Sequence, residues 1–331
     1  MYLVFFITHY SLLIIIMPSN AIVYTKQSKL DFLPIVSAPL CEYDIRIRTI
    51  ATSISAGMER FLLTGKSITR KELKFPVVPG SECIGEVIEV GSSVKGVELG
   101  EYVYAWKSER WEEVQSVFGC QAESVIVREG DFLPLRRTPE ERDVLIGLLA
   151  DALSAVNKLD LATTERILIL GLGAFGLMIA EVLHFYHFNE VDACDMFIQR
   201  GDLATARNIA LDLSDFTADY NNRYDVIIES TGRLLLLESA LRLLKPQGKF
   251  LLCGNYEVMK TDYRLLQDKE PQLIFSSLTT FAHRETAKTL IETHAIDVAR
   301  LLTHRFPIGQ YEVAYDVALN RPDCIKTSLL W

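Results

Sequence analysis

The first part of the chain, from Ala21 to Leu135, alternates short apolar runs with turn residues, a pattern that predicts β-strands joined by tight turns. Proline and glycine mark the turns, as at Pro79-Gly80 and at Gly91. We therefore expect a compact β-rich domain in this part. The predicted strands are Ala21–Tyr24, Tyr43–Ile50, Cys83–Val90, Tyr102–Ala105 and Ser124–Val127.

The pattern then changes to helical spacing between Glu140 and Leu159, and beyond it strands alternate with helices as far as about residue 294. Helix Leu234–Leu244 is predicted to end before the turn Pro246-Gln247-Gly248. Such alternation implies right-handed crossovers and a doubly wound parallel sheet, so the fold class is α/β. The predicted strands are 166–170, Glu190–Cys194, Tyr224–Glu229, Lys249–Cys253 and Leu273–Ser277.

The length of 331 residues exceeds what one core usually holds, so two domains are expected. We place the β-rich domain at 17–150 and the sheet domain at 151–294. Residues 295–331 return to mixed character, and we predict that they pack back on the first domain.

The first sixteen residues form an apolar segment that is short for a membrane span and has no basic flank before it. Met17-Pro18-Ser19 has the character of a second start. We expect translation to begin at Met17, with residues 1–16 a non-native or disordered leader; a membrane-associating N-terminus is the alternative.

Charge and cysteine content narrow the function classes. The net charge is −9 and no run of Lys or Arg forms a basic stripe, which argues against a nucleic-acid partner. The six cysteines lie far apart without a Cys-x-x-Cys pair, as expected of single thiols in a reducing compartment. We expect a cytoplasmic protein without a stable membrane span.

The segment after the strand at 166–170 has the glycine pattern of a dinucleotide site. Gly171 allows a tight turn, Gly173 lets the backbone approach a pyrophosphate, and Gly176 lets the following helix pack on the strand. Ala174 and Phe175 begin that helix, whose N-terminal N–H groups favour an anion.

An acidic residue follows the next strand at the place where it selects the coenzyme. Asp195 lies 19 residues after Gly176, where a carboxylate accepts hydrogen bonds from the adenosine ribose. An acid there repels a 2′-phosphate, so NAD is predicted as the cofactor. Arg200 and Arg207 lie nearby and keep NADP open as the alternative.

Several motifs, in order along the chain, resemble the medium-chain dehydrogenase/reductase superfamily. They are Phe75-Pro76-Val77-Val78-Pro79-Gly80-Ser81-Glu82 with Gly85–Gly91, then Asp225–Gly232, Leu244–Lys249 and Thr303–Pro307. The resemblance implies a GroES-like catalytic domain and a Rossmann domain that binds NAD, with Thr231 and Gly232 in the coenzyme site.

A closer resemblance is to the bacteriochlorophyllide dehydrogenases, a subfamily of bacteriochlorophyll and chlorophyll pigment synthesis in photosynthetic organisms. It rests on Ser53–Arg60, Phe118-Gly119 and Arg321–Trp331. It implies NAD-dependent oxidation of a 3-(1-hydroxyethyl) group to acetyl on a bacteriochlorophyllide or chlorophyllide, so that the expected partner is a tetrapyrrole.

The chain departs from the zinc-dependent members of the superfamily. Ser55 and Ser81 fall where Cys and His ligands would stand, Gly147 is near the third position, and serine is a poor zinc ligand. His184 and His187 lack a third ligand and are predicted to be ordinary helix residues. No metal is therefore expected.

Alcohol oxidation without zinc requires side chains that bind the reacting oxygen and accept its proton. Ser55 and Ser81 are candidates for the oxygen, and Glu59 or Glu82 for the proton, directly or through a serine or water. Arg60 is a candidate to stabilise negative charge. The structural alternatives are a Glu59–Arg60 ion pair and a Glu82 bond to the Pro79-Gly80 turn; Asp151 is a weaker base candidate.

A flat tetrapyrrole with a propionate calls for aromatic side chains and a cation in its binding site. The candidates for an aromatic wall are Trp106, Trp111 and Phe118, with Lys107 and Arg110, together with Tyr256 and Tyr263.

Two competing functions remain open: a zinc-free quinone or enoyl reductase that consumes NAD(P)H, and a nucleotide-binding scaffold without catalysis. A homodimer is possible.

Overall fold

The computed structural model describes residues 18–67, 72–276 and 278–331. These residues form two compact units, one extending to Val144 and including His304–Trp331, the other spanning Leu145–Thr303. The predicted leader, residues 1–16, lies outside the described residues, as does Ser277 at the end of a predicted strand. Within the described part of the chain, no helix has both the length and the apolar character needed to cross a membrane.

The first unit is built from two sheets and two helices. One sheet has the order β2-β1-β4-β7, and the other has the order β16-β17-β3-β5-β6-β9, with β8 also paired to β3. All five strands predicted in this part are present, and the final segment of the chain joins the same unit. The elements are β1 (Pro18–Lys26), β2 (Lys29–Val36), β3 (Asp44–Ile54), α1 (Ala56–Leu63), β4 (Val77–Val78), β5 (Cys83–Val90), β6 (Tyr102–Ala105), β7 (Gln115–Ser116), β8 (Ser124–Arg128), β9 (Phe132–Pro134), β16 (Leu302–Pro307), α8 (Tyr311–Asn320) and β17 (Lys326–Leu330).

The second unit is a parallel sheet in the order β12-β11-β10-β13-β14-β15. This is the doubly wound sheet predicted from the alternation of strands and helices. The α/β fold class is confirmed. The elements are α2 (Ile146–Asn157), β10 (Ile167–Leu170), α3 (Ala174–Phe185), β11 (Val191–Cys194), α4 (Ile198–Gly201), β12 (Arg207–Ala210), β13 (Tyr224–Glu229), α5 (Leu236–Leu241), β14 (Leu244–Leu252), α6 (Tyr263–Lys269), β15 (Gln272–Phe275) and α7 (Phe281–Glu292).

The register of the sheet brings the ends of its central strands together. Leu170 at the end of β10 pairs with Cys194 at the end of β11 and with Glu229 at the end of β13. The loops that follow these strands therefore leave the sheet at one edge, which is where open parallel sheets bind ligands.

The boundaries of the units differ from those predicted at 150 and 294. Helix α2 packs against α3 and α7 of the sheet unit, and Leu149 and Leu153 on it are buried, so this unit begins at Leu145. At the other end, helix α7 and the following turn stay with the sheet unit, and the return segment begins at His304.

The predicted helix Leu234–Leu244 is too long. Leu244 is buried and already pairs with Tyr224 as the first residue of β14, so α5 ends at Leu241. The predicted turn at Pro246-Gln247-Gly248 instead lies inside β14. There the register with β13 shifts and Gln247 takes a φ of +60°, so these residues form an irregularity in the strand.

Candidate active site

The turn after β10 requires glycine at two positions. Gly171 has a φ of +91°, a left-handed conformation that favours glycine. A Cβ on Gly176 would lie 1.9 Å from the carbonyl oxygen of Gly171, so no side chain fits there. These two glycines fix the path of the chain from strand to helix.

The middle glycine of the motif faces open space. A Cβ on Gly173 would meet no protein atom within 4 Å. Gly173 caps α3, Ala174 and Phe175 form its first turn, and all three are partly exposed. Since N–H groups of a first helical turn lack partners within the helix, they favour an anion. The turn has the room and the donors that a dinucleotide pyrophosphate requires.

Asp195 follows β11 and is 7% exposed. Its Oδ2 accepts the N–H of Leu172 in the glycine turn at 2.6 Å, and its Oδ1 accepts the N–H of Phe197 at 2.8 Å. The carboxylate therefore braces the glycine turn, a role that the sequence did not reveal. Its contact with a ribose stays a prediction.

The two arginines near Asp195 both have acidic partners. Arg200 lies 3.7 Å from Asp195 Oδ2, and its guanidinium is 4.6 Å from the centre of the Phe197 ring. Arg207 binds Asp192 at 2.7 Å. Both cations that were candidates to hold a 2′-phosphate are thus already paired with carboxylates.

Thr231 and Gly232 lie at the same edge, in the loop after β13. Thr231 donates its backbone N–H to Glu229 Oε1 at 2.7 Å, and its hydroxyl binds the same oxygen. Gly232 has a φ of +73° and is exposed. The buried Glu229 is absent from the sequence prediction, although an acid that ends an apolar strand was a signal for it.

In the first unit, Glu59 lies in the first turn of α1 and is 1% exposed. Its carboxylate accepts a hydrogen bond from the Tyr24 hydroxyl. Burial raises the pKa of Glu59 to about 7, although the Tyr24 hydrogen bond and the charge of Lys326 act in the opposite direction. Glu59 therefore gains or loses a proton near neutral pH, as a general base should.

Glu82 has a different environment. Its carboxylate accepts hydrogen bonds from the Ser53 hydroxyl, from the Tyr104 hydroxyl at 3.2 Å and from the Lys326 ammonium at 3.3 Å. Both Glu82 and Lys326 are buried. Glu82 is thus held as one half of a buried ion pair, and its side-chain bonds go to strands rather than to the Pro79-Gly80 turn that we had considered.

The remaining predicted side chains are less buried. Ser55 is the residue before α1 and Ser81 precedes β5; both are partly exposed. Arg60 is exposed and donates to the carbonyl oxygen of Leu319. Arg60 and Glu59 therefore take different partners, and the ion pair considered from the sequence is not formed.

Candidate metal ligands are sparse. Among the described residues there is no group of three or more His, Cys, Asp or Glu side chains that could hold a metal ion. His184 and His187 are exposed, and His187 lies beyond the end of α3. Asp151 accepts a hydrogen bond from the Thr279 hydroxyl at 2.5 Å.

The aromatic residues predicted to contact a tetrapyrrole differ in their exposure. Trp111 is 8% exposed and packs in the core, with its Nε1–H bound to the carbonyl oxygen of Gly119 at 3.2 Å. Trp106 is partly exposed, and its ring lies 6.0 Å from that of Tyr104. Tyr263 is 73% exposed. Trp106 therefore lies beside the tyrosine whose hydroxyl donates to Glu82.

Sequence reasoning missed Tyr24, Tyr104 and Lys326, which contact the two carboxylates. They come from β1, β6 and β17, and 244 positions separate Lys326 from Glu82. The signal in the sequence was weak, because Lys326 is the first residue of a short strand, Lys-Thr-Ser-Leu-Leu, whose composition does not predict that the lysine is buried.

The chain is similar to proteins of known activity. A family model described as the alcohol dehydrogenase GroES-like domain matches residues 33–137. The 2-desacetyl-2-hydroxyethyl bacteriochlorophyllide A dehydrogenase of Cereibacter sphaeroides is 25% identical over 87% of this chain and 90% of its own length. D-arabinitol dehydrogenase 1 of Uromyces fabae is 23% identical over 88% and 91%.

Solved structures share the fold. An Escherichia coli alcohol dehydrogenase complexed with NADH has a TM-score of 0.80 at 18% identity and covers 95% of this chain and 100% of its own. A zinc-binding dehydrogenase from Sinorhizobium meliloti bound to NADP has a TM-score of 0.79 at 21% identity, over 95% and 99%. Nicotinamide coenzymes of both kinds are thus bound by proteins of this fold.

Proposed function

Because this chain belongs to the medium-chain dehydrogenase/reductase superfamily, we propose that it is an NAD-dependent dehydrogenase that oxidises a secondary alcohol without zinc. We further propose that the alcohol is the 3-(1-hydroxyethyl) group of a bacteriochlorophyllide or chlorophyllide. The observation that carries the proposal is the buried Glu59, whose pKa of about 7 suits a proton acceptor at neutral pH.

NAD, rather than NADP, is favoured by the charges around Asp195. A 2′-phosphate would meet the Asp195 carboxylate, while Arg200 and Arg207 are paired with acids. Gly171, Gly173 and Gly176 would hold the pyrophosphate. NAD held there would supply the acceptor for the hydride of the carbinol carbon.

The chain's own side chains handle the proton. As the hydride leaves carbon, the hydroxyl loses its proton and the carbon–oxygen bond becomes a carbonyl, so one base must accept one proton. Glu59 is better suited than Glu82, whose charge is held by Lys326. Since Glu59 is 1% exposed, the proton reaches it through a hydroxyl or a water, and the partly exposed Ser55 at the start of the same helix is our candidate for this relay.

The substrate proposal rests on similarity to the bacteriochlorophyllide dehydrogenases and on the segment that holds Glu59. That segment, Ser53–Arg60, contributes both Ser53, which binds Glu82, and Glu59 itself. The partly exposed Trp106, whose ring lies 6.0 Å from that of Tyr104, is our candidate to stack on the flat macrocycle.

The proposal is tested by incubating the protein with NAD and the 3-(1-hydroxyethyl) pigment while following the pigment spectrum. An acetyl group joins the conjugated macrocycle, so oxidation should shift the absorption to the red as NADH accumulates. D-arabinitol tests for a polyol activity in parallel, and an enone with NADPH tests for the reductase alternative. Turnover of either in place of the pigment would refute the substrate proposal.

A further inference from the structure

The loops after β10 and β13 are tied together at the carboxyl edge of the parallel sheet. The Ser230 hydroxyl lies 2.9 Å from the carbonyl oxygen of Leu170 and 2.8 Å from that of Gly171. A Cβ on Gly171 would lie 2.7 Å from the methyl carbon of Thr231. The position of the loop after β13 is therefore linked directly to that of the glycine turn.

The loop after β14 packs against the same group. Gly254 follows the end of this strand, and a Cβ on it would lie 2.6 Å from the Cα of Gly232. The N–H of Cys253 donates to the Glu229 carbonyl oxygen at 2.9 Å, which extends the pairing of β13 with β14. Gly232 and Gly254 thus bring two backbone segments into contact beside the glycine turn.

One buried carboxylate joins these two loops. Glu229 is 0% exposed, and its Oε1 accepts both the N–H and the hydroxyl of Thr231. Its Oε2 accepts the hydroxyl of Tyr256, and that hydroxyl in turn accepts the N–H of Gly254 at 3.1 Å. Because a buried carboxylate is tolerated only when it is hydrogen-bonded, both loops are held to this one side chain.

The order of the strands indicates which part of a dinucleotide lies over these loops. The glycine turn after β10 is the place for the pyrophosphate, and Asp195 after β11 is the place for the adenosine ribose. The neighbour of β10 on the other side is β13, followed by β14. The second nucleotide of the coenzyme therefore extends over the loops that Glu229 joins.

We propose that Glu229 and Tyr256 are positioning residues for the nicotinamide half of the coenzyme. Through Thr231 and Gly254 they hold the backbone on which that half rests, while the adenosine half depends on the glycine turn and Asp195. This inference rests on the proposed function, because it takes the coenzyme to be a nicotinamide dinucleotide.

The test compares two ligands by isothermal titration calorimetry on the full chain. NAD has both halves, whereas ADP-ribose has the adenosine half and the pyrophosphate but no nicotinamide. Tyr256→Phe removes the hydroxyl that joins Glu229 to Gly254 and keeps the ring. We expect it to raise the Kd for NAD about ten-fold, as is usual for a hydrogen bond to a charged group. The Kd for ADP-ribose should stay within about two-fold of wild type.

Two further variants sharpen the result. Tyr186→Phe removes a hydroxyl from a tyrosine that follows the C-terminal end of α3, the end away from the glycine turn, and both affinities should be unchanged. Glu229→Gln keeps the shape of the side chain and an oxygen for Thr231, while its amide can donate to the Tyr256 hydroxyl. It should bind NAD more tightly than Tyr256→Phe does.

The inference is wrong if Tyr256→Phe binds NAD as well as wild type does, or if it loses NAD and ADP-ribose affinity equally, since equal loss means general damage to the site. A wild-type protein that binds neither ligand would overturn the proposed function and this inference with it. If wild type binds NAD and Tyr256→Phe binds it equally well, only this inference is overturned and the proposed function stands.

Discussion

Burial raises the pKa of Glu59 above that of a carboxylate in water. Glu59 and Glu82 belong to the same unit and are both buried, yet Glu82 has an ammonium partner at 3.3 Å, whereas Glu59 accepts a hydrogen bond from the neutral Tyr24 hydroxyl. Burial and the nearby Glu59 raise the pKa of Tyr24, so Tyr24 stays protonated and remains a donor. Glu82 thus has a cation as a partner, whereas the hydrogen bond to Glu59 comes from an uncharged hydroxyl.

Replacing Glu59 by Gln should slow alcohol oxidation by about two orders of magnitude, the usual effect of a positioned base. The wild-type rate should rise with pH through about 7, as Glu59 ionises, and the variant should lack this rise. The measurement is a pH–rate profile at saturating NAD. The control is Glu86→Gln, a partly exposed glutamate on β5 that pairs with Arg48. A profile that keeps the ionisation in Glu59→Gln would show that the base is another group.

The free energy of unfolding of the same variant should depend on pH differently from that of wild type. Folding raises the pKa of Glu59 from 4.5 to about 7, so the folded state holds the proton more tightly than the unfolded state. This favours folding at low pH, and the advantage is lost as pH rises through 7. Relative to wild type, Glu59→Gln should therefore gain about 2 to 3 kcal/mol in free energy of unfolding between pH 5 and pH 8. Urea titrations at both pH values measure this, and a constant difference would contradict it.

Replacing Asp195 by Ala should weaken NAD binding and narrow the preference for NAD over NADP. We propose that the carboxylate repels a 2′-phosphate, and the structure shows that it accepts the N–H of Leu172. A change of ten-fold or more in the ratio of kcat/KM values is expected, since hydrogen bonds to charged groups contribute about 1.5–3 kcal/mol. Asp202→Ala, which removes an exposed carboxylate just after α4, is the control; an unchanged ratio in Asp195→Ala would contradict the assignment.

At the scale of elements, two glycines in the turn between β10 and α3 should have different effects when replaced, one on stability and the other on NAD binding. Gly176→Ala places a Cβ 1.9 Å from a carbonyl oxygen, so it should destabilise the unit by about 2–3 kcal/mol. Gly173→Ala meets no protein atom within 4 Å and should cost less than about 1 kcal/mol. Because we propose that the pyrophosphate lies over this turn, the added methyl group should nevertheless lower the affinity for NAD.

Thermal unfolding and NAD titration of the two glycine variants check this difference. A stable Gly173→Ala variant that binds NAD like wild type would mean that the coenzyme does not lie over this turn. An unperturbed melting temperature for Gly176→Ala would contradict the close packing of α3 on the turn.

Elements with a strong periodic pattern were predictable from the sequence. Strands Cys83–Val90, Tyr102–Ala105 and Tyr224–Glu229 have the predicted bounds, because each is an apolar run between clear turn residues. The bulge at Gln247 was not predictable: Pro246 and Gly248 signal a turn locally, but pairing with β13 keeps the segment in the sheet.

At the scale of the whole molecule, the site depends on contacts between distant parts of the chain. Glu59 and Glu82 stand out in the sequence because they lie in motifs. Lys326 does not stand out, because only the return of the last segment to the first unit places it beside Glu82. Antiparallel pairing of β17 with β3, which sets Ser328 opposite Ser53, produces this contact and cannot be read from spacing.

The most direct test of the account is the oxidation of the 3-(1-hydroxyethyl) pigment by NAD with protein dialysed against a chelator. We predict a red-shifted pigment spectrum with one NADH formed per pigment, at an undiminished rate and with well under one zinc per chain. An unchanged spectrum from protein that still binds NAD would contradict the proposed substrate. Activity that is lost on chelation and restored by zinc would contradict the metal-free site built around Glu59.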